Sequence, residues 1–351
     1  MGRLRLCGWL LVAAALAAAS CDREPAATAA ARTGQKVSAP VAPEPVHVPW
    51  KLAAAERVVA FGDLHGDAAA ARAVLILVGV TNEQGRWIGG STVVVATGDQ
   101  MDRSDDERRI FELLADVSRQ ASAAGGRVLV LSGNHEVLNV AGHFDYVTEQ
   151  GFAQFADVER PELGEILAHF PPAARGRAAA FLPGGPYARR LAQWPVVVQV
   201  GDTVFVHGGL LPEHVSYGIR QINSDVSRWM KGQVLRLPAM LRSMSAPYWV
   251  RLYSTSELKD EACPTLRKTL SMLGARRMVV GHTPQKRINP ACDGQVWRID
   301  VGLSRFYGAE PPEALEIRGD KVQVLSARPA AGAKAAGPKA NKNTVHADRR
   351  P

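Results

Sequence analysis

Short apolar runs recur along the middle of the chain, and most are followed by a stretch with the period of an amphipathic helix. Runs of β-branched and apolar residues predict buried strands, here at residues 58–61, 92–97, 128–131, 196–200, 204–206, 278–280 and 296–301. Helices are predicted over residues 68–78 and 105–120, with Asp67 capping the first and Ser104 or Asp105 the second. Strands that alternate with helices predict a layered α/β architecture.

The later part of the chain has more consecutive strands, which favours a mixed sheet or two facing sheets. Residues 141–194 and 214–275 lie between predicted strands and are largely helical in pattern, so we interpret them as cap insertions that shape a substrate cleft. Residues 51–326 are long enough for one large α/β domain with these two insertions.

The N-terminus has the pattern of an export signal. Arg3 and Arg5 precede an apolar run over residues 6–19, which is too short to span a bilayer comfortably. The small residues before Cys21 resemble the lipobox of bacterial lipoproteins, although that pattern has Leu where Ala18 stands. We expect a signal over residues 1–20 and a lipid-anchored protein that faces the periplasm or the cell exterior. Ordinary cleavage and an uncleaved anchor are the alternatives.

The two ends flanking the predicted domain are low in sequence complexity. Residues 21–50 are rich in Ala and Pro and predict an extended tether. Residues 327–351 carry six Lys and Arg against Asp348, whereas the formal charge of the whole chain is +8. The basic balance therefore belongs mostly to a tail that is either solvated and disordered or in contact with anionic lipid or cell-wall polymer. It does not predict nucleic-acid binding.

The cysteines predict one disulfide. Cys7 would leave with the signal and Cys21 would be lipidated, so Cys263 and Cys292 remain as a pair in an oxidising compartment. The alternative is two free thiols.

Polar residues that could bind metal follow several predicted strands. "FGDLHGD" supplies Asp63 and His65, "TGDQMDR" supplies Asp99, Asp102 and Arg103, "SGNHE" supplies Asn134 and His135, "FVHGG" supplies His207, and "MVVGHTP" supplies His282. Alone, the first motif is more often a turn and the second a helix cap. Because ligands converge at the carboxyl ends of strands in open α/β sheets, five such loops together predict a site.

In this order, the motifs resemble the phosphoprotein phosphatase family of metallophosphoesterases over roughly residues 56–308. Stretches such as "GDQMDRSDDE" and "IDVGLSRFYG" are most similar to the Shewanella-like phosphatase branch, although Ser104 and Gly142-His143 depart from its usual pattern. The resemblance implies the calcineurin-like fold, with mixed sheets flanked by helices.

The resemblance also implies two divalent metal ions. One would be held by Asp63, His65 and Asp99, and the second by Asp99, Asn134, His207 and His282. A set of nitrogen and oxygen ligands without cysteine suits Mn²⁺, Fe or Zn²⁺. Hydrolysis would proceed by direct attack of a hydroxide that bridges the two ions.

The remaining motif residues are expected to act on the substrate. His135 would donate the proton to the leaving group while Asp102 orients it, and Arg103 would fork across phosphoryl oxygens next to Asn134. Arg251, in "PYWVRLYS", is a candidate second arginine whose alternative is a surface or packing role. Tyr307 is a weaker candidate for the cleft.

These features predict a phosphatase for phosphate monoesters, with a phosphorylated protein or a small phosphoester as the substrate. Phosphotyrosine is modestly favoured over phosphoserine and phosphothreonine because of the Shewanella-like resemblance. A dinucleoside polyphosphate hydrolase and a broad-specificity exported phosphatase are alternative enzymes. A metal-binding scaffold without activity is disfavoured, because all the expected ligands are present.

Overall fold

A computed structural model describes residues 50–308 and 310–327. The predicted signal, Cys21, almost all of the tether and the tail beyond Ala327 lie outside the described residues. Within the described ranges, none of the helices combines the length and apolar content that crossing a membrane requires.

The strands of the described residues form two mixed sheets. In chain order they are β1 (Lys51–Leu52), β2 (Val58–Phe61), β3 (Val93–Ala96), β4 (Arg127–Val130), β5 (Val197–Val200), β6 (Thr203–Val206), β7 (Arg277–Val280), β8 (Asn289–Ala291), β9 (Val296–Arg298), β10 (Glu313–Arg318) and β11 (Lys321–Ser326). One sheet has the order β1-β5-β6-β7-β9-β8 and the other β11-β10-β2-β3-β4. The prediction of an α/β fold with mixed sheets is confirmed.

Parallel pairs at the centre of each sheet set the register of the strand ends. In one sheet, β2 pairs with β3 and β3 with β4, so Phe61, Ala96 and Val130 end level with one another. In the other sheet, β6 is parallel to β7 and Val206 ends beside Val280. Each set therefore delivers its following loops to a single edge.

The helices cover the sheets and fill the connections. They are α1 (Ala68–Leu77), α2 (Glu107–Ala123), α3 (Asn134–Val140), α4 (Glu149–Ala153), α5 (Gly164–Ala168), α6 (Arg175–Phe181), α7 (Pro186–Leu191), α8 (Pro212–Tyr217), α9 (Ile219–Met230) and α10 (Ala262–Leu273). Asp67 caps α1 as predicted, since its side chain accepts from the backbone N–H groups of Ala69 and Ala70. The predicted cap of α2 was wrong: Asp106 occupies that position and makes no side-chain cap bond.

Two hydrophobic cores share the six-stranded sheet. Alternate residues of β6 and β7, such as Phe205 and Val279, face a core formed with the five-stranded sheet, α1 and α2. Their neighbours Val206 and Val280 face a second core formed with α9 and α10. This two-residue alternation is what a strand buried on both faces produces, since successive side chains point to opposite sides.

The two segments interpreted as caps are helical in the structure. Residues 141–194 contain α4 to α7, and residues 214–275 contain most of α8 with all of α9 and α10. Short 3₁₀ turns at Pro161–Leu163, Pro172–Ala174 and Ala239–Arg242 interrupt them. The helices of the second segment complete the second core, so that segment is packed against the sheet.

Candidate metal and catalytic site

Three motifs meet at the edge of the five-stranded sheet. Asp63 and His65 follow β2, Asp99 follows β3, and Asn134 begins α3 after β4. The loops touch closely, because a Cβ at Gly133 would lie 2.2 Å from Asp99 Oδ1. Glycine is therefore required there, and this packing explains why Gly precedes Asn134 in the third motif.

The six-stranded sheet supplies two imidazoles to the same place. His207 follows β6 and His282 follows β7, and both are buried. His207 Nε2 lies 3.1 Å from Asp99 Oδ2, 3.0 Å from Asn134 Oδ1 and 3.1 Å from His282 Nδ1. The site thus forms where the edges of the two sheets come together.

Backbone strain is concentrated in these loops. His65, Asp99, Asp102, Arg103 and His282 all have positive φ, between 43° and 69°. Residues other than glycine rarely adopt this left-handed backbone conformation. It costs free energy, and it persists only where surrounding contacts hold it. Among the described non-glycine residues, only Cys292 and Asp293 share it, so most of this strain serves the site.

Hydrogen bonds from the Nδ1 atoms fix the orientation of two imidazole rings, as in metal-binding histidines. His207 Nδ1 donates to the carbonyl of Thr97 at 3.0 Å, and His65 Nδ1 donates to that of Met101 at 3.1 Å. These bonds leave both Nε2 lone pairs directed into the site. His282 Nε2 is buried and has no hydrogen-bond partner among the described residues.

The protonation of the histidines and the crowding of the carboxylates in the site also suit bound cations. Burial, helped by neighbouring positive groups, lowers the pKa of His65 to about 3 and of His282 to about 2, so both rings are neutral. Burial and the charges of Asp300 and Asp99 raise the pKa of Asp63 well above its ordinary range. Carboxylates crowded in this way repel one another unless positive ions lie among them.

Two overlapping groups of side chains could hold metal ions. Asp99, His207 and His282 each offer a ligand atom within 4.8 Å of the others, and so do His65, Asp99 and His135. Asp63 lies beside both groups, because its carboxylate is 4.0 Å from His65 Nε2 and 4.0 Å from His207 Nδ1. The donors include no thiolate and suit Mn²⁺, Fe or Zn²⁺.

His135 and Asp102 form a close pair next to these donors. Asp102 Oδ2 is 2.6 Å from His135 Nδ1, and both residues are buried. Burial lowers the pKa of His135, but the charge of Asp99 and the bond to Asp102 outweigh it, so the pKa is raised overall. His135 thus differs from His65 and His282, whose pKa values are lowered.

A narrow polar cleft opens above these residues. Its lining includes donors already described together with Arg103, Tyr146, Trp249, Arg251 and Tyr307. Arg251 is mostly exposed and anchored through Nη1 to the carbonyl of His282 at 3.2 Å and to Thr283 Oγ1 at 2.8 Å. Both arginines singled out from the sequence, and Tyr307, therefore lie at the cleft.

Arg103 is held chiefly by aromatic rings. Its guanidinium carbon lies 4.9 Å from the ring centres of Tyr146 and Phe306 and 5.8 Å from that of Tyr307. Nε has no hydrogen-bond partner among the described residues. Guanidinium groups stack favourably on aromatic faces, which leaves the hydrogen-bonding edge available.

Several residues of the site escaped the sequence analysis. Glu136 accepts backbone N–H bonds from Gly133, Asp99 and Gln100 at 2.7 to 2.9 Å and thereby joins two motif loops. Asp300 follows β9 and contacts Asp63, and burial raises its pKa to about 6. Its position after a strand was the available signal, whereas Tyr146 and Trp249 carry no motif.

Two further features lie outside the cleft. Cys263, in α10, and Cys292, after β8, are joined in a disulfide. A larger concavity of about 620 Å³ is lined by residues such as Arg276, Asp293 and Trp297. It contains none of the metal-donor side chains, so size alone does not identify the site.

The chain belongs to the calcineurin-like phosphoesterase family, which residues 56–286 match. Within it, two relatives of the chain are Shewanella-like protein phosphatases. The chain is 38% identical over 306 residues to Shewanella-like protein phosphatase 2 of Arabidopsis thaliana, covering 78% of each chain. It is 29% identical over 291 residues to Shewanella-like protein phosphatase 1 of Plasmodium berghei, covering 77% of this chain and 74% of the relative.

Solved structures show the same fold. The cold-active protein-tyrosine phosphatase of a psychrophilic Shewanella species superposes with a TM-score of 0.60 at 21% identity, over 79% of this chain and 82% of that one. A protein serine/threonine phosphatase from Saccharomyces cerevisiae gives 0.51 at 11% identity, over 81% and 85%. The predicted family and enzyme class are confirmed: the protein is a metallophosphoesterase.

Proposed function

We propose that the protein is a metal-dependent phosphatase that hydrolyses phosphate monoesters of proteins, with phosphotyrosine favoured. One observation carries this proposal: buried metal donors, His135 and Arg103 all line one narrow cleft, and Asp102 is hydrogen-bonded to His135. A phosphoryl group in that cleft would meet the ligands for cations, a proton donor and a fork of N–H groups together.

The proposed ligands divide around Asp99, which lies between the two sheets. Asp63, His65 and Asp99 would hold one ion, and Asp99, Asn134, His207 and His282 the other. This division is supported by the donor distances, including that from His207 Nε2 to His282 Nδ1, and by the neutral rings of His65 and His282. When bound, a pair of divalent ions activates water and neutralises phosphoryl charge.

His135 is proposed to hold the proton that the leaving oxygen receives. Its Nδ1 is fixed on Asp102, so Nε2 is the atom that faces the cleft. Nε2 also lies 3.8 Å from Asp99 Oδ2, and His135 shares a possible metal group with His65. We assign it to proton donation because the 2.6 Å bond to Asp102 supports a charged ring.

Arg103 is proposed to bind two phosphoryl oxygens, and Arg251 lines the same cleft. The stacking of Arg103 on aromatic rings fixes the plane of its guanidinium without using its hydrogen-bonding edge. Asn134 would contribute an amide next to it. Nη1 of Arg251 donates to the carbonyl of His282 and to Thr283 Oγ1, and Arg251 lines the cleft.

The aromatic walls favour an aryl ester. Tyr146, Trp249 and Tyr307 line the cleft, and a phenyl leaving group would bury apolar area against them. A similar fold occurs in the cold-active protein-tyrosine phosphatase of Shewanella, which is consistent with this preference.

A substrate panel under one metal condition tests the proposal. Purified protein reconstituted with Mn²⁺ would be assayed on a phosphotyrosyl peptide, the matched phosphoseryl peptide, diadenosine tetraphosphate and a phosphodiester. We expect the highest kcat/KM on the phosphotyrosyl peptide. Faster hydrolysis of diadenosine tetraphosphate would favour the polyphosphate hydrolase, and no turnover with Mn²⁺, Fe or Zn²⁺ would favour a scaffold. Asp99→Asn is the metal-site control.

We further propose export and lipid anchoring through Cys21. The N-terminal pattern supports this, and a Cys263–Cys292 disulfide is compatible with an oxidising compartment. Labelling the bacterial host with a palmitate analogue should mark the wild type and not Cys21→Ala. Equal labelling of both proteins would overturn the proposal.

A further inference from the structure

We infer that Arg177, in the first cap segment, is a positioning residue that holds Asp102 and thereby His135 in place for proton donation. This inference rests on the proposed function. Arg177 lies in α6 and has no exposed surface. A fully buried arginine must have its charge and its donors satisfied by specific partners, so those partners show what it does.

The partners of Arg177 lead directly to the proton-donor pair. Nη2 donates to Asp102 Oδ1 at 2.9 Å. Nη1 and Nη2 together fork onto Glu107 at 2.7 and 3.1 Å. Nε donates to Asn139 Oδ1 at 2.8 Å, and Nη1 donates also to the carbonyl of Gly151 at 3.0 Å. These bonds use all the N–H donors of a guanidinium.

Asn139 gives Arg177 a second connection to the same carboxylate. Because a guanidinium only donates, the amide oxygen of Asn139 must face Arg177 and its NH₂ group must face the other way. That NH₂ group donates to Asp102 Oδ1 at 2.9 Å and to the carbonyl of His135 at 2.9 Å. Arg177 thus fixes the orientation of the amide that holds both members of the pair.

Glu107 completes the frame. It accepts the backbone N–H of Asp102 at 2.9 Å through the same carboxylate that Arg177 grips. The backbone of Asp102 is held at a φ of 66°, a conformation that needs such support. Arg177 therefore holds Asp102 in three ways: by a direct hydrogen bond, by way of Asn139 and by way of Glu107. Asp102 Oδ2 remains directed at His135 Nδ1.

The charge balance also requires the arginine. Asp102 and Glu107 are both buried, and Arg177 is the cation that bridges them. With it, the three groups keep one net negative charge beside His135. Phe155 and Phe181 stack 5.2 and 5.0 Å from the guanidinium carbon, which excludes water from the network. Removing one partner of a buried ion pair leaves an uncompensated charge and distorts what surrounds it.

This role predicts a dependence on the leaving group. Proton donation matters most for an alkoxide, which is a poor leaving group, and little for dinitrophenolate, which leaves without a proton. Loss of Arg177 should therefore slow hydrolysis of an alkyl phosphate much more than that of 2,4-dinitrophenyl phosphate. The ratio of the two kcat values in one preparation does not depend on the fraction of correctly folded protein.

The test measures the ratio of kcat on the alkyl phosphate to kcat on 2,4-dinitrophenyl phosphate in wild type, Arg177→Met and Arg177→Lys. Mass spectrometry gives the metal content of each protein. The Lys variant keeps the charge and loses the fork. Arg190→Met is the matched control. Arg190 also packs on aromatic rings, 5.0 Å from Phe111 and 5.3 Å from Tyr187, and it donates to the carbonyl of Phe111, which is outside the Asp102 network. We expect the alkyl-to-aryl ratio to fall about 10- to 100-fold in both Arg177 variants, with metal content and the Arg190→Met ratio unchanged.

Equal loss on both esters would show that Arg177 only supports folding and would overturn the inference. If Arg177→Met does not yield soluble protein, the ratio in Arg177→Lys decides by the same criterion. A wild type that hydrolyses neither ester with any of the expected metals would overturn the proposed function and this inference with it. An active wild type with uniform loss in the variants would overturn the inference alone.

Discussion

The proposed metal-donor half of the site and the proposed proton-donor half are equally buried but are held in different ways. Asp99, His207 and their neighbours follow strands whose parallel register brings the loops together. Asp102 and His135 instead depend on a side-chain network that reaches Arg177, 75 residues further along the chain. Backbone topology therefore builds one half, and the first cap segment completes the other.

This difference implies that the two halves can be damaged separately. Strand register survives the loss of a single side chain, so a donor substitution should remove metal while the fold persists. A break in the network around Asp102 should leave the metal donors in place and change only how the leaving group is protonated. The following variants test this separation, in order of decreasing effect.

The largest effect is expected for Asp99→Asn. Asp99 Oδ2 is the oxygen that contacts His207 Nε2, and the residue belongs to both metal-donor groups. Loss of its charge should lower kcat on the order of 10³-fold for every ester, because charge stabilisation at the phosphoryl group is lost. Steady-state kinetics and metal analysis check this. Full metal content with unchanged kcat would contradict it.

The next effect is expected for His135→Ala, whose loss of activity is confined to esters with poor leaving groups and is therefore smaller over all esters together. General acid assistance contributes about 10²- to 10⁴-fold, and it contributes most for poor leaving groups. The variant should therefore lose activity on an alkyl phosphate and retain much of it on 2,4-dinitrophenyl phosphate. Uniform loss on both esters would show that His135 has another role.

Arg103→Lys should have an intermediate effect that falls on the phosphoryl group itself. The lysine keeps the charge but loses the fork and the stacking on Tyr146 and Phe306. A lost charge-assisted hydrogen bond costs about 1.5–3 kcal/mol, so kcat/KM should fall by about one to two orders of magnitude on all monoesters. Arg109→Lys, at an exposed position in α2, is the control. Equal kinetics for wild type and Arg103→Lys would show that Arg103 does not bind the substrate.

The smallest effect on catalysis is expected for the disulfide. Replacing Cys263 and Cys292 together by Ser should lower the free energy of unfolding by about 2–4 kcal/mol, because the unfolded chain gains freedom. Neither cysteine lines the cleft, so kcat should stay near the wild-type value. Denaturant unfolding and kinetics of one preparation check both parts. A large fall in kcat with unchanged stability would contradict this assignment.

The residues of the proposed metal-donor half could be singled out from the sequence because their signals are local. Asp63 and His65 stand two residues apart after an apolar run, and His282 follows another run in the same way. The strand ends bring these motifs together, so a linear pattern contained most of the geometry. The strand predicted over residues 58–61 has those bounds in the structure.

Arg177 and part of the five-stranded sheet could not be predicted. The partners of Arg177 are distant in the sequence, and charged residues interrupt the apolar pattern of the sheet. Arg177 lies in "RGRAAAF", which has the pattern of an ordinary short helix, and its partners are 26 to 75 residues away. β10 was missed because Glu313 and Glu316 interrupt its apolar pattern. Both are buried in the sheet and paired with Arg287 and Arg57, which only the folded chain reveals.

Metal stoichiometry in Asp99→Asn and His135→Ala tests whether the site has a metal-binding half and a separate proton-donating half. Both proteins would be reconstituted with Mn²⁺, freed of excess ion and analysed by mass spectrometry beside the wild type. We expect Asp99→Asn to lose metal and His135→Ala to keep the wild-type content. Because His135 also lies within reach of His65 and Asp99, metal loss in His135→Ala equal to that in Asp99→Asn would make it a ligand and contradict the division.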